Sequence, residues 1–306
     1  MGKAQVVLPD GREIHIGGEH EDHYDPDFYI YNDVVVIDGT RIEIYGYPVS
    51  DFPPTDFHTA TLAGTDVFVI GSLGYPDDRQ IGTTQVLRLD VNSLEMSVQQ
   101  TTGENPGWLH GHSAVLDAAN ASIRVTGGQR WTERVTENFH DFELCLKTFS
   151  WRIVTARNWK SWILARADGR TNNLWQIKQE EWNRRLGLSK PGFFRRVAQK
   201  LAGYLVASPF PSVSDRQVRE IECLYYSPFD RSPAVEDEEK YGRYRLSIDG
   251  VTVRFDEELF GVTVTVEGEL QQSKIDVILS TLEARLASIE DTAYTTQSIA
   301  EWKPQL

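Results

Sequence analysis

Val67-Phe68-Val69-Ile70-Gly71-Ser72 has two close counterparts, Glu13-Ile14-His15-Ile16-Gly17-Gly18 and Ile123-Arg124-Val125-Thr126-Gly127-Gly128. Each is a short run of strand-favouring residues stopped by a pair of small ones, where glycine allows the chain to turn through positive φ. Gly17, Gly71 and Gly127 recur at a spacing of about 55 residues, and a period of that length predicts a repeat architecture. Each copy is followed by a polar loop and a second apolar run that closes on an acid or a turn. These runs are Val34-Val35-Val36-Ile37-Asp38, Val86-Leu87-Arg88-Leu89-Asp90 and Asp141-Phe142-Glu143-Leu144-Cys145-Leu146. Periodicity is two throughout, so the first half of the chain is predicted to be antiparallel strands.

Two further features give the repeat an order. His58-Thr59-Ala60 and His112-Ser113-Ala114 open the strands that precede the second and third glycine pairs, and Phe149-Ser150-Trp151-Arg152-Ile153 closes the third unit. Ile44 and Met96 stand near the corresponding Trp position in the first two units. This ordered set resembles the kelch repeat, the four-stranded blade of a β-propeller. The resemblance covers residues 1–160 and implies three antiparallel blades, an incomplete propeller, since closed rings use about four to eight. It brings no catalytic motif with it.

In kelch-like blades, the loops after the glycine pairs emerge on one face. Here they are residues 19–28, 73–84 and 129–138. Gathered together they would present Tyr24, Asp25, Tyr75, Asp77, Asp78, Arg79, Trp131 and Arg134 as a binding surface, the mix of aromatic and arginine side chains that binding hot spots favour.

Beyond the repeats, residues 161–214 carry 9 basic and 3 acidic side chains, whereas residues 1–160 carry 12 and 23, and residues 215–306 carry 10 and 19. The middle segment therefore reads as a basic helical connector. Leu174, Ile177, Trp182 and Leu186 approximate one apolar stripe, and Phe193, Val197, Leu201 and Leu205 another after Pro191. The second helix is expected to dock on the protein's own acidic surface. Residues 215–306 read as a separate α+β module. Ser214 and Gln217 are spaced as a capping box, and strands 244–248 and 251–255 flank Asp249-Gly250, a strong hairpin signal. A third strand spans 261–266, and a helix capped by Ser273 carries Ile275, Ile278, Leu279, Leu282, Leu286 and Ile289 on one face. The fold class expected is mainly β with α+β.

The net charge of −14 repels phosphate backbones, so no nucleic-acid partner is expected, whereas capture of a basic protein is favoured. No apolar run is long enough to span a bilayer, and the N-terminus lacks the apolar core of a signal peptide. Cys145 and Cys223 are unpaired in spacing and are expected to be buried thiols, which suits a reducing cytoplasm. His20, Glu21, Asp22, His23, Asp25 and Asp27 offer metal-ligand chemistry in one loop, but no helix aligns the two imidazoles, and His110 and His112 are explained by strand geometry. No metal or cofactor is expected, and Walker, nucleophile-elbow and His-Glu-x-x-His motifs are all missing from the sequence. The reading that follows is a cytoplasmic, non-enzymatic protein-binding scaffold, most specifically a bacterial immunity protein that covers a basic toxin or effector. The alternatives are an enzyme or sugar binder working on the loop face, with or without a metal at His20 and His23, and a subunit completed by a homodimer.

Overall fold

The computed structural model describes residues 1–20, 29–132, 135–186, 213–238 and 240–299. The chain divides into two compact units, residues 1–157 and 158–306.

The first unit opens with β1 (Ala4–Val7), β2 (Glu13–Ile16), a short ribbon of β3 (Glu19–His20) and β4 (Tyr29–Ile30), then β5 (Asp33–Asp38) and β6 (Arg41–Gly46). Strands β1, β2, β5 and β6 form one antiparallel sheet in that order. A second sheet follows in the same up-and-down order: β7 (Thr59–Ala63), β8 (Asp66–Ile70), β9 (Val86–Asp90) and β10 (Met96–Val98). After β11 (Thr102–Gly103) and β12 (Trp108–His110), the third sheet uses β13 (Ser113–Asp117), β14 (Ser122–Thr126), β17 (Asp141–Cys145) and β18 (Ser150–Thr155). Between β14 and β17, β15 (Gln129–Trp131) and β16 (Val135–Glu137) form a ribbon with β12. The third sheet departs from a plain four-stranded meander because β11 pairs in parallel along the outer edge of β18. The first strands of the three sheets pack side by side, β1 next to β7 and β7 next to β13.

Side-chain alternation explains the stacking. Val67 and Val69 of β8 point into one core with Ile14, Ile16, Val34 and Val36. Phe68 and Ile70, one residue out of phase, enter a second core with Ile123, Val125, Phe142, Leu144 and Trp151. The middle sheet is thus buried on both faces, which is why β8 reads as an unbroken apolar run and β17 as a strict alternation. Each large buried side chain contributes about 1.5–3 kcal/mol of transfer free energy. Met96 and Trp151 are buried in these cores, whereas Ile44, expected at the equivalent place, faces outward at 68% exposure. Tyr45, its neighbour along β6, takes the inward position.

The second unit is built on one antiparallel sheet in the order β20-β21-β22-β23-β19-β24. Its elements are β19 (Lys160–Arg166), α1 (Leu174–Arg185), α2 (Asp215–Ile221), β20 (Val235–Glu236), β21 (Arg243–Ile248), β22 (Val251–Glu258), β23 (Gly261–Val266), α3 (Gln272–Glu290) and β24 (Tyr294–Ser298). The part of the expected 161–214 connector that lies in residues 161–186 therefore belongs to this unit. The run Trp162-Ile163-Leu164-Ala165 pairs with β23 on one side and β24 on the other, and α1 buries Leu174 and Ile177 in the same core as α2 and α3. The surplus of basic side chains concealed a strand. The amphipathic stretch at residues 193–205 lies outside the described residues.

Local signals set most boundaries here. Asp249 and Gly250 both adopt positive φ, 52° and 77°, as a two-residue hairpin turn requires. Ser214 and Gln217 form the reciprocal capping box. All six apolar residues of the α3 stripe are buried. Ser273 does not cap α3, however, because the helix begins one residue earlier and Gln271 holds the cap position without a side-chain bond. On α1 the stripe is shorter than expected, with Trp182 and Leu186 more than half exposed. Cys145 and Cys223 are free thiols, half-buried rather than buried. The fold is mainly β with an α+β second unit.

Candidate functional site

The repeat's glycines decide what the loops of the first unit can do. Gly17 and Gly71 sit at φ +51° and +76°, and a Cβ on either would come within 2.3 Å of a backbone oxygen, that of Thr55 or Leu109. Next to that hypothetical Cβ lies the Cε1 atom of the histidine leading into the following sheet, His58 at Gly17 and His112 at Gly71. The same backbone bonds recur: Gly17 N–H donates to Asp33 and Gly71 N–H to Gln85, then Gly18 N–H donates to Thr55 and Ser72 N–H to Leu109. Both imidazoles are buried. His112 Nε2 lies 2.9 Å from Thr59 Oγ1. Burial pushes both pKa values down to about 4. These histidines are structural packing pieces, neutral at ordinary pH.

The loop after Gly71 is held from beneath by Asp56, which is fully buried. Its Oδ1 accepts from Gly74 N–H at 2.7 Å and from Ser72 Oγ at 3.3 Å. Trp108 Nε1 donates to Leu73 O at 3.0 Å. Arg79 turns back on its own loop, donating from Nε to Leu73 O and from a terminal nitrogen to Gly74 O. Its guanidinium then lies 3.9 Å from the centre of the Trp131 ring, a stacking that joins the second loop to the third. Tyr75 links the second loop to the first, its hydroxyl accepting from Ile30 N–H at 2.8 Å. Pro76–Asp78 form one 3-10 turn that leaves Asp77 and Asp78 exposed.

The structure thus brings together Tyr75, Asp77, Asp78, Arg79 and Trp131. Tyr24, Asp25 and Arg134 lie outside the described residues, as does His23. Among the described residues no group of three or more His, Cys, Asp and Glu side chains is placed to hold a metal ion. Sequence reasoning missed Asp56 and Trp108 and dismissed His110. Aligning Asp56-Phe57-His58 with His110-Gly111-His112 would have drawn attention to them, because the two segments occupy equivalent places ahead of β7 and β13. His110 is buried as well, and desolvation lowers its pKa while the Asp56 carboxylate opposes the shift. Asp56 Oδ2 and His110 Nε2 are both buried without a hydrogen-bond partner.

The second unit holds a cavity of about 610 Å3, walled by Trp182, Tyr225, Tyr241 and Tyr244 with Glu181, Glu222 and Glu236 around them. Lys178 projects into its wall, ion-paired to Glu257 and donating to Tyr244 Oη at 2.7 Å. Tyr225 Oη donates to the same Glu257 at 2.6 Å and its ring stacks on Tyr244 at 4.6 Å. Burial pulls the Lys178 pKa down against the opposing pull of Glu257, and burial raises Tyr225 and Tyr244. Lys178, Tyr225, Tyr244 and Glu257 thus satisfy one another in a connected network along this wall.

No protein-family model matches the chain, and no curated protein matches it in sequence. Among solved structures, that of YjhT is similar with a TM-score of 0.39 and 12% identity, over 51% of this chain and 52% of that one. The chain thus spans about half the length of that structure, and a likeness so distant carries no argument about function.

Proposed function

We propose that this chain is a non-enzymatic, kelch-like binding scaffold that holds a protein partner on the loop face of its first unit. In its most specific form it is a bacterial immunity protein, acting in the cytoplasm by covering a basic toxin or effector. The observation that carries this reading is the locking of the loops: Tyr75 bonded to Ile30, and Arg79 laid on Trp131. A surface fixed before a partner arrives loses less entropy on binding. Asp77 and Asp78 stand exposed beside it, placed to attract a basic surface at long range.

The test is a titration of the purified chain against the candidate basic toxin, together with rescue of growth in cells that express that toxin. Trp131→Ala should cost about 2 kcal/mol or more in affinity, the scale of an aromatic hot spot, and should abolish rescue. Wild-type affinity in Trp131→Ala and Tyr75→Ala, with loss in Tyr241→Ala instead, would move the interface to the second unit. A second reading, a small ligand in that unit, is favoured by the aromatic cavity beside Lys178. Saturable binding of a small molecule that is lost in Tyr244→Ala would support it.

A further inference from the structure

Helix α3 buries its apolar stripe and keeps a row of small residues beside it. Ser280, Ala284 and Ser288 recur every four residues, so they lie one above another along the helix, and all three are exposed. Their short side chains leave room, and the chain after α2 closes round that room with Cys223 and Arg231. The result is a cavity of about 600 Å3, within the range of small-molecule sites. Ala284 and the fully buried Ile289 give it an apolar wall.

The charges on this cavity do not cancel. Most of the described arginines of the second unit are ion-paired to carboxylates, as Arg216, Arg243 and Arg254 are. Arg231 and Arg285 share the cavity, and neither has a carboxylate partner among the described residues. Arg285 Nη1 donates to the carbonyls of Leu224 and Tyr226, which anchors its guanidinium in the wall. Glu220, the one carboxylate among the lining residues, is ion-paired to Arg216 and accepts from Ser288 Oγ at 2.9 Å. Asp230, next to Arg231 in the chain, accepts instead from the backbone and hydroxyl of Ser232. Burial lowers the pKa of Arg285, Cys223 opposes that shift and the Arg231 charge adds to it. Two like charges thus share one hollow, on a chain whose net charge is −14.

We infer that this cavity is a binding site for a small organic anion, whose carboxylate or phosphate group lies between Arg231 and Arg285. An oxyanion there offsets the repulsion between the two cations, and the planar guanidinium fork matches its oxygens. The Thr281 hydroxyl lines the same space as a further donor. The body of the ligand then rests on Ala284 and Ile289, the usual division of a small-molecule site into apolar walls and a few polar anchors. A cationic ligand is repelled by the arginines, and a neutral one leaves their charges unanswered. The site is separate from the loop face of the first unit and from the aromatic cavity beside Lys178, with which it shares none of the residues named here.

Equilibrium dialysis of the full chain against phenyl phosphate and against benzoate, at constant ionic strength, tests this. At least one of the two should bind saturably at a single site, and benzyl alcohol, which has no charge, should not. Binding of phenyl phosphate alone assigns the site to phosphate esters, of benzoate alone to carboxylates, and of both to oxyanions at large. Arg231→Gln, at an exposed position, should weaken binding about tenfold or more, the scale of a hydrogen bond to a charged group. An unchanged circular dichroism spectrum would show that this variant is folded. Tyr241→Ala, in the aromatic cavity, should bind as wild type does. Cys223 locates the probe: with Cys145→Ser it is the remaining thiol of the two, and the bound anion should slow its alkylation by iodoacetamide. Absence of binding by both anions would overturn the inference, as would equal binding of benzyl alcohol or affinity unchanged in Arg231→Gln. Binding that is lost in Tyr241→Ala, or that leaves the alkylation of Cys223 at its original rate, would place the anion elsewhere and overturn it too.

Discussion

The buried histidine pair makes the first unit sensitive to acid over a defined range. His58 and His112 pack under Gly17 and Gly71, and burial holds each pKa near 4 against an ordinary value of 6.5. In the unfolded chain both imidazoles protonate as the pH falls through about 6.5, while the folded unit still excludes the proton. The unfolded state therefore binds more protons between about pH 6.5 and 4. The stabilisation is fully present above that window and is lost as the pH falls through it. The drop from 6.5 to about 4 corresponds to about 3 kcal/mol per residue, so the pair removes up to about 6 kcal/mol by pH 4, comparable to the whole stability of a domain. Two protons give a limiting slope of about 2.7 kcal/mol per pH unit. The assay is urea unfolding at pH 7, 6 and 5, sampled by hydrogen-exchange pulses at one fixed pH and read at peptides covering β7 and β13, so that the second unit does not confuse the transition. His112→Gln should halve the slope. A first unit whose stability is flat across the window, or a slope unchanged in His58→Gln/His112→Gln, would refute the reasoning.

Three more outcomes follow from the same geometry. Gly71→Ala, which forces a Cβ to within 2.3 Å of Leu109 O, should destabilise the first unit by about 3 kcal/mol or more in thermal or urea melts, while Gly39→Ala, with positive φ but open space around it, should cost only about 1 kcal/mol. Lys178→Met strands Glu257 beside Tyr225 and should lower the stability of the second unit by about 3–5 kcal/mol, with much of the loss recovered by adding Glu257→Gln. Charge reversal at Asp77 and Asp78 should slow association with a basic partner in stopped-flow measurements and leave dissociation nearly unchanged, because exposed rim charges steer rather than hold.

Much of the fold could be read from the chain because side-chain alternation and glycine spacing are local properties. The three strand-plus-glycine stretches, the Asp249-Gly250 hairpin and the α3 stripe each depend on residues within a few positions of one another. What the sequence hid depends on contacts between distant segments. Strand β19 looked like part of a basic connector because its place in the sheet is fixed by β23 and β24, about a hundred residues away in the chain. Trp182 and Leu186 fit a helical period, yet only the first turn of α1 faces the core. Within the candidate site, the loops themselves were legible and their support was not. Asp56 is one acid among 45 in the sequence, and only the fold places its carboxylate under Gly74 and Ser72.

That support bears on whether the loop face binds or catalyses. Asp56, Arg79 and Trp108 are the side chains one would enlist for chemistry, and in this fold each makes hydrogen bonds to the backbone of Leu73 or Gly74. A general base or electrophile must turn its polar atoms to a substrate, whereas these turn inward. What remains outward is the free face of the Trp131–Arg79 pair and the carboxylates of Asp77 and Asp78. Aromatic surface with flanking charge, on a loop already frozen, supports the proposed reading of the face as a binding surface. Freezing also carries a cost that the rest of the unit must offset, since the Asp56 carboxylate is buried with only one of its two oxygens hydrogen-bonded. The deep cores on both faces of the middle sheet supply that margin, and the loop that most needs a rigid base grows from the sheet that is packed on both sides.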